Sequence, residues 1–127
     1  MPNRLFIDDD QAVRHMLDSL FSATHECHTA DRAEQALEFL EFQSYDVVIT
    51  DVSMPGLGGV EILRHIKQRH GKTPVIVISG RPDKHEDTVM EMGAFAFFSK
   101  PFSLSAIEAS VTKAVSLVTS ETAPEIA

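Results

Sequence analysis

The sequence predicts an α/β protein built on a doubly wound parallel sheet, and three observations carry that prediction. The runs Leu5-Phe6-Ile7, Val47-Val48-Ile49 and Val75-Ile76-Val77-Ile78 lack the polar alternation of a strand with one wet face, so they read as strands covered on both sides. A stretch with helical spacing of apolar residues follows each run. Alternating β and α elements with short links give a parallel sheet joined by right-handed crossovers. The length, 127 residues, suffices for one core and not for two domains of similar size.

Composition narrows the function classes. No apolar run approaches the roughly 20 residues of a membrane helix, and the aspartates within residues 1–10 exclude a signal peptide, so a cytoplasmic protein without membrane contact is expected. A net charge of −8 argues against a direct nucleic-acid surface. Cys27 is the sole cysteine, which rules out an internal disulfide and is expected to be a buried, unreactive thiol.

Taken in order, strand 1 ends in Asp8-Asp9-Asp10. Val13, Met16, Leu17, Leu20 and Phe21 then form one helical face, with Asp10 placed as its cap. Residues 26–30 read as a polar edge strand. Asp31-x-x-Glu34 has the pattern of a capping box for helix 2, whose stripe is Ala33, Ala36, Leu37 and Leu40. Strand 3 delivers Asp51 to a loop, where Met54-Pro55-Gly56 stops it. Gly56, Gly58 and Gly59 read as a flexible link into helix 3, which buries Ile62, Leu63 and Ile66 and ends near Gly71. Strand 4 terminates in Ser79-Gly80. Helix 4, roughly 82–92 with Pro82 in its first turn, has a thin stripe of Val89 and Met92 closed by Gly93. Ala94 to Phe98 form strand 5, and Leu104, Ile107, Val111, Val115 and Val118 define helix 5. Residues 119–127, with Pro124, read as a short flexible tail after a domain spanning 1–118, leaving no output domain.

Polar groups collect at the carboxyl ends of four strands: Asp8 and Asp9, Asp51, Ser79, and Lys100. With a flavodoxin-like order 2-1-3-4-5, strands 1 and 3 meet at the topological switch point and bring three carboxylates together. Two unit charges about 4 Å apart repel by about 1 kcal/mol in water and about 4 kcal/mol at an effective dielectric of 20, so the trio calls for a cation. Oxygen-only ligands point to Mg²⁺, with Mn²⁺ as the substitute. A carboxylate beside such a metal, with a lysine and a hydroxyl on neighbouring strands, suits phosphoryl transfer with Asp51 as nucleophile.

These residues resemble the receiver domain of two-component response regulators. The resemblance covers about residues 3–118 and rests on Ile7-Asp8-Asp9-Asp10, Val48 through Gly56, Val77-Ile78-Ser79-Gly80, and Gly93-Ala94 through Ser99-Lys100-Pro101-Phe102. It implies that Asp8, Asp9, Asp51 and the main-chain carbonyl of Ser53 hold Mg²⁺ and that Asp51 accepts the phosphoryl group. It further implies that Lys100 contacts the phosphoryl oxygens, that Ser79 and Phe97 are the switch pair, and that Lys100-Pro101 is cis. The chain would then be a signalling phosphoacceptor, catalysing only its own phosphorylation and dephosphorylation. Its expected partners are a sensor histidine kinase or phosphotransfer protein and, through the face of helix 4, strand 5 and helix 5, a downstream partner or output domain. A homodimer that forms on phosphorylation is a further expected use of this domain. Gly58 replaces a frequently polar residue, and Phe97 a frequent tyrosine.

Two other functions compete. A phosphohydrolase of the haloacid-dehalogenase type wants a second acid two positions after its nucleophile, where this chain has Ser53. A flavin-binding carrier needs a Ser-, Thr- and Gly-rich phosphate loop after strand 1, where three anions stand. His25, Cys27 and His28 have a superficially zinc-like grouping, but along a strand His25 and His28 point to opposite faces.

Overall fold

Strand β3 (Val47–Asp51) is buried at every position, as expected of the central strand of a two-faced sheet. The computed structural model describes residues 3–23, 25–53, 58–80 and 82–122, with the side chains of 82–85 and 118–122 left aside. Around β3 the described residues form β1 (Asn3–Ile7), β2 (Glu26–Ala30), β4 (Val75–Ser79) and β5 (Ala96–Ser99). The helices are α1 (Gln11–Phe21), α2 (Ala33–Phe42), α3 (Gly59–Arg69), α4 (Pro82–Glu91) and α5 (Leu104–Thr122). All strand pairs are parallel, in the order β2-β1-β3-β4-β5.

The alternation of side chains along each strand divides the core in two. Leu5, Ile7, Val48, Val75 and Val77 pack with Ala36, Leu40, Ile62, Leu63, Ile66 and Val89, so α2, α3 and α4 cover one face. Phe6, Val47, Ile49, Ile76 and Ile78 pack with Val13, Leu17, Phe21, Ile107 and Val111, so α1 and α5 cover the other.

The helix termini show where local sequence decides and where it does not. Asp10 caps α1, its carboxylate accepting from the Ala12 N–H at 2.9 Å. The capping box at Asp31 does not form. Arg32 is the N-cap, the Asp31 carboxylate pairs with the Arg32 guanidinium at 3.0 Å, and Gln35 rather than Glu34 reaches back to the Asp31 N–H. Helix α5 continues to Thr122, so the first four residues of the expected tail are helical. Pro124, Met54, Pro55 and Gly56 lie outside the described residues. Cys27 is half-buried rather than buried; desolvation nonetheless pushes its thiol up to about 11, which keeps it protonated.

Gly58 and Gly59 are not a slack link. Gly58 is the N-cap of α3, its N–H donating to Glu61 Oε2 at 3.1 Å. At Gly59 a side-chain carbon would overlap the Asp51 carbonyl oxygen and lie 2.8 Å from Val52 Cα, so only glycine lets α3 start against the end of β3. In α4, Val89 is fully buried while Glu86, Asp87, Thr88, Met90 and Glu91 are exposed. Gly93 follows with φ 101°.

Gly59→Ala is therefore expected to cost on the order of 1–3 kcal/mol through overpacking against backbone. Gly80→Ala, where an added carbon meets nothing within 4 Å, should stay within about 0.5 kcal/mol of wild type. Urea melts of the two variants check both, and equal losses would contradict the contact between α3 and β3.

Candidate functional site

The carboxyl ends of β1, β3 and β5 converge because the sheet order places β1 beside β3 and leaves β5 one strand beyond β4. Asp8, just after β1, is fully buried. Its N–H donates to the Ala30 carbonyl of β2 at 3.1 Å, and its Oδ1 accepts from the Asp10 N–H at 2.9 Å. Asp9 is exposed, as the alternation of the chain after β1 requires. Asp51, the last residue of β3, is 1% exposed. Carboxylate oxygens of Asp8, Asp9 and Asp51 all lie within 4.8 Å of one another, the one such group among the described residues.

Lys100 follows β5 and reaches back across the sheet end. Its Nζ donates to Asp51 Oδ2 at 2.8 Å and lies 3.0 Å from Asp8 Oδ2. The second contact is an ion pair by distance without hydrogen-bond alignment, so the buried Asp8 Oδ2 keeps an unused lone pair. Asp51 Oδ1 is occupied by Ser53, whose N–H and hydroxyl both donate to it at 2.7 Å. The Ser53 hydroxyl in turn accepts from the Gly80 N–H at 3.5 Å, linking the loops after β3 and β4. Ser79 is buried at the end of β4, and its carbonyl accepts from the Lys100 N–H at 2.8 Å. Phe97, paired in register with Val77, is half-buried on the α4 side of β5, whereas Phe95 and Phe98 pack on the α5 side. The Lys100-Pro101 bond is cis.

All the singled-out side chains thus lie at one end of the sheet, with Phe97 set back along β5. Two contributions escaped the sequence reading. Arg14 Nη1 donates to the Asp8 carbonyl at 2.6 Å, so Lys100 is not the sole nearby cation. The signal was its position one turn inside a helix that starts on the acidic trio. The Ser53 side chain engages Asp51, whereas only its main chain had been singled out. Among the described residues, the histidines form no metal-like cluster with Cys27. His28 Nδ1 meets the Tyr45 hydroxyl at 2.8 Å and His25 Nε2 meets Arg4 Nη2 at 2.8 Å.

The charge balance differs at each carboxylate. Burial pushes the Asp8 carboxyl up to about 6, against the opposing pull of the Asp10 N–H and Lys100. Asp51 carries the same burial penalty, but hydrogen bonds from Lys100 and Ser53 outweigh it and hold its carboxyl below the ordinary range. Burial presses Lys100 down, and its hydrogen bond to Asp51 and its ion pair with Asp8 reverse the net direction to upward. A proton entering this cluster near neutral pH therefore resides on Asp8.

The oxygen donor set and the orphaned Asp8 oxygen fit a hard divalent cation. A carboxylate paired with an ammonium group, beside two further carboxylates and with a buried serine at the end of the next strand, is an arrangement that can hold a cation and meet a phosphoryl group.

A five-stranded parallel sheet with an acidic site at its strand ends defines the class. The chain belongs to the response regulator receiver domain family, whose model matches residues 5–112. It is 35% identical over 112 residues to the DNA-binding transcriptional regulator NtrC of Escherichia coli strain K12, covering 87% of this chain and 24% of that protein. It is 34% identical to the transcriptional regulatory protein FixJ of Bradyrhizobium diazoefficiens, covering 86% of this chain and 54% of that protein. The chain thus spans about a quarter to about half the length of these relatives. Among solved structures, the response regulator TrrA of Thermotoga maritima, in complex with Mg²⁺-BeF, superimposes with a TM-score of 0.80. Its identity is 27%, over 90% of this chain and 99% of that one. No described helix is long and apolar enough to cross a membrane.

A pH dependence follows from the opposed shifts. Asp8 binds its proton more tightly folded than unfolded, so its contribution favours the folded state fully below about pH 4 and is lost as pH rises through about 6. Asp51 acts in the opposite sense, stabilising above the ordinary carboxylate range and losing that contribution as pH falls. In chelator, stability should drop by on the order of 1–3 kcal/mol between about pH 4.5 and pH 7 on account of Asp8. Asp8→Asn should flatten that drop in urea melts; an unchanged slope would put the proton elsewhere.

Proposed function

We propose that Asp51 accepts a phosphoryl group from the phosphohistidine of a sensor histidine kinase or phosphotransfer protein, and that the chain changes shape in response to regulate a partner or output domain. The observation that carries this reading is the Lys100 ammonium seated on Asp51 Oδ2 beside an Asp8 oxygen with no hydrogen bond. An Asp51 carboxylate oxygen attacks phosphorus, the bond to the imidazole nitrogen breaks, and its electron pair stays with the imidazole. In this reading Lys100 follows the phosphoryl oxygens as they arrive, and the Ser79 hydroxyl donates to one of them. Asp8, Asp9, Asp51 and the main-chain carbonyl of Ser53 would hold Mg²⁺ or Mn²⁺, which when bound offsets the charge of the incoming group. The Mg²⁺-BeF complex of the TrrA structure supports that assignment.

The response runs through Ser79 and Phe97. Drawing the Ser79 hydroxyl toward a phosphoryl group shifts the loop between β4 and α4, and the Phe97 ring, which has no hydroxyl to leave unsatisfied, moves inward on apolar grounds. The affected face is α4, β5 and α5, where an output domain, a downstream partner or a second copy would dock.

Incubation with acetyl phosphate and Mg²⁺ should add the mass of one phosphoryl group to the intact chain. Chelator or Asp51→Asn should abolish the gain, and labelling of Asp51→Asn at the wild-type level would refute the assignment. Ser79→Ala should still be labelled yet lose most of the phosphorylation-dependent change in amide chemical shifts along residues 82–118. A full shift pattern in that variant would refute the switch.

A further inference from the structure

A cleft with unopposed positive charge lies at the end of the fold remote from Asp51. It opens at the amino ends of β4 and β5, between Pro74 and Phe95, and reaches from the last turn of α3 to the later turns of α5. Its volume is about 380 Å³. Lys67 and Lys72 line it, and no Asp, Glu or His does, although the whole chain carries −8.

Lys67 stands in the last turn of α3, where a cation complements the carbonyl end of a helix, and position alone would make it an ordinary helix-end charge. Its side chain runs instead to the loop between α4 and β5. A carbon built on Gly93 would meet Lys67 Cε at 3.1 Å and Nζ at 3.6 Å, so the ammonium stands at the cleft wall. Lys72 is exposed on the loop before β4. Lys113, four residues before Leu117 and hence its neighbour on the surface of α5, is exposed as well. Among the described residues none of these ammonium groups forms an ion pair. The acid closest along the chain to a lining residue is Glu91, two residues before Gly93, and it is not part of the wall. The carbonyl end of α3 supplies about half a negative charge, which leaves the two lysines of the wall in excess.

The rest of the wall is largely apolar. Pro74, Ala94 and Ala114 are buried, Phe95 is half-buried on the α5 side of the sheet, and Leu117 is 48% exposed. An aliphatic side chain held half in water above an apolar floor offers area that an entering side chain would cover.

We propose that this cleft between α3 and α5 docks a segment of a partner protein that places an apolar side chain between carboxylates. The apolar side chain lies on Phe95 and Leu117, and the carboxylates meet Lys67 and Lys72. Charge complementarity selects this occupant: two ammonium groups face no carboxylate in the wall, so an acidic segment is attracted, an uncharged one gains nothing from them and a basic one is repelled. The volume admits a few side chains and not a folded surface. The alternatives are residues 123–127 of this chain, whose sequence holds Glu125 and Ile126, and a second copy. Pro74 and Phe95 precede their strands whereas the carboxylate trio follows the strands, so the cleft can be altered without touching Asp51.

The test selects a random displayed peptide library on the intact chain, with counter-selection on the Lys67→Gln/Lys72→Gln double variant and, separately, on Leu117→Ser. The expected result is a consensus of an apolar residue between acidic ones. Added to the isotopically labelled chain, the consensus peptide should shift amides within 71–73, 93–95 and 114–117. It should bind at least about tenfold more weakly to either variant and more weakly as salt rises from about 50 mM to about 500 mM. Both variants should melt within a few degrees of wild type and still be labelled at Asp51 by acetyl phosphate, which separates loss of the cleft from loss of the fold. Enrichment that survives both counter-selections, a basic or uncharged consensus, no enrichment, or shifts centred elsewhere would overturn the proposal. Two further results would do the same. Removal of residues 123–127 that shifts the same amides would assign the cleft to the chain's own segment, and self-association in sedimentation that Leu117→Ser abolishes would assign it to a second copy.

Discussion

The Lys100 ammonium between Asp8 and Asp51 is the contact on which the site depends. Two buried carboxylates on neighbouring strands, with backbones about 4.8 Å apart, would repel by several kcal/mol at the effective dielectric of a partly buried site. Lys100 answers that repulsion from β5, two strands away from β3, with 2.8 and 3.0 Å contacts. The ion pair therefore ties three strand ends together, and it does so only because the order β2-β1-β3-β4-β5 sets β5 within reach of a long side chain. A lysine's long, flexible stem suits this reach, since it carries a point charge from β5 to both carboxylates at once.

Compensation at this site is unequal. Asp51 gains Lys100 and both donors of Ser53, while Asp8 has the Asp10 N–H and an unaligned ammonium. Asp51 is accordingly kept ionised and Asp8 is the carboxylate left short of partners. Arg14 on the Asp8 carbonyl adds positive charge without occupying a carboxylate oxygen, which leaves the acidic group open to a further cation.

The fold was legible in the sequence wherever burial and alternation act along consecutive residues. Val47-Val48-Ile49 and Val75 to Ile78 are buried throughout, as uninterrupted β-branched runs require. The strand ends that carry Asp8, Asp51, Ser79 and Lys100 followed from those runs, and the family resemblance then assigned roles. What escaped depended on contacts between segments. Asp31 looked like a cap until Arg32 took its carboxylate and Gln35 its N–H. Gly59 looked flexible because a glycine's reason for being glycine lies in what it touches, here the backbone of β3. The Ser53 hydroxyl was invisible for the same reason, since the turn after Asp51 sets its direction.

The seating of α3 on the end of β3 makes the surroundings of Asp51 mechanically unequal. On the α3 side, Gly59 rests on the backbone of Asp51 and Val52, and Ile62, Leu63 and Ile66 root that helix in the core. On the other side, α4 buries Val89 and exposes its neighbours from 86 to 91. The free energy of local detachment scales with the apolar contact that must be broken, so the segment 86–91 of α4 opens at lower cost than α3. The molecule thus has a stiff wall and a compliant one on either side of the same carboxylate, and amide exchange should be slow along α3 and fast along α4.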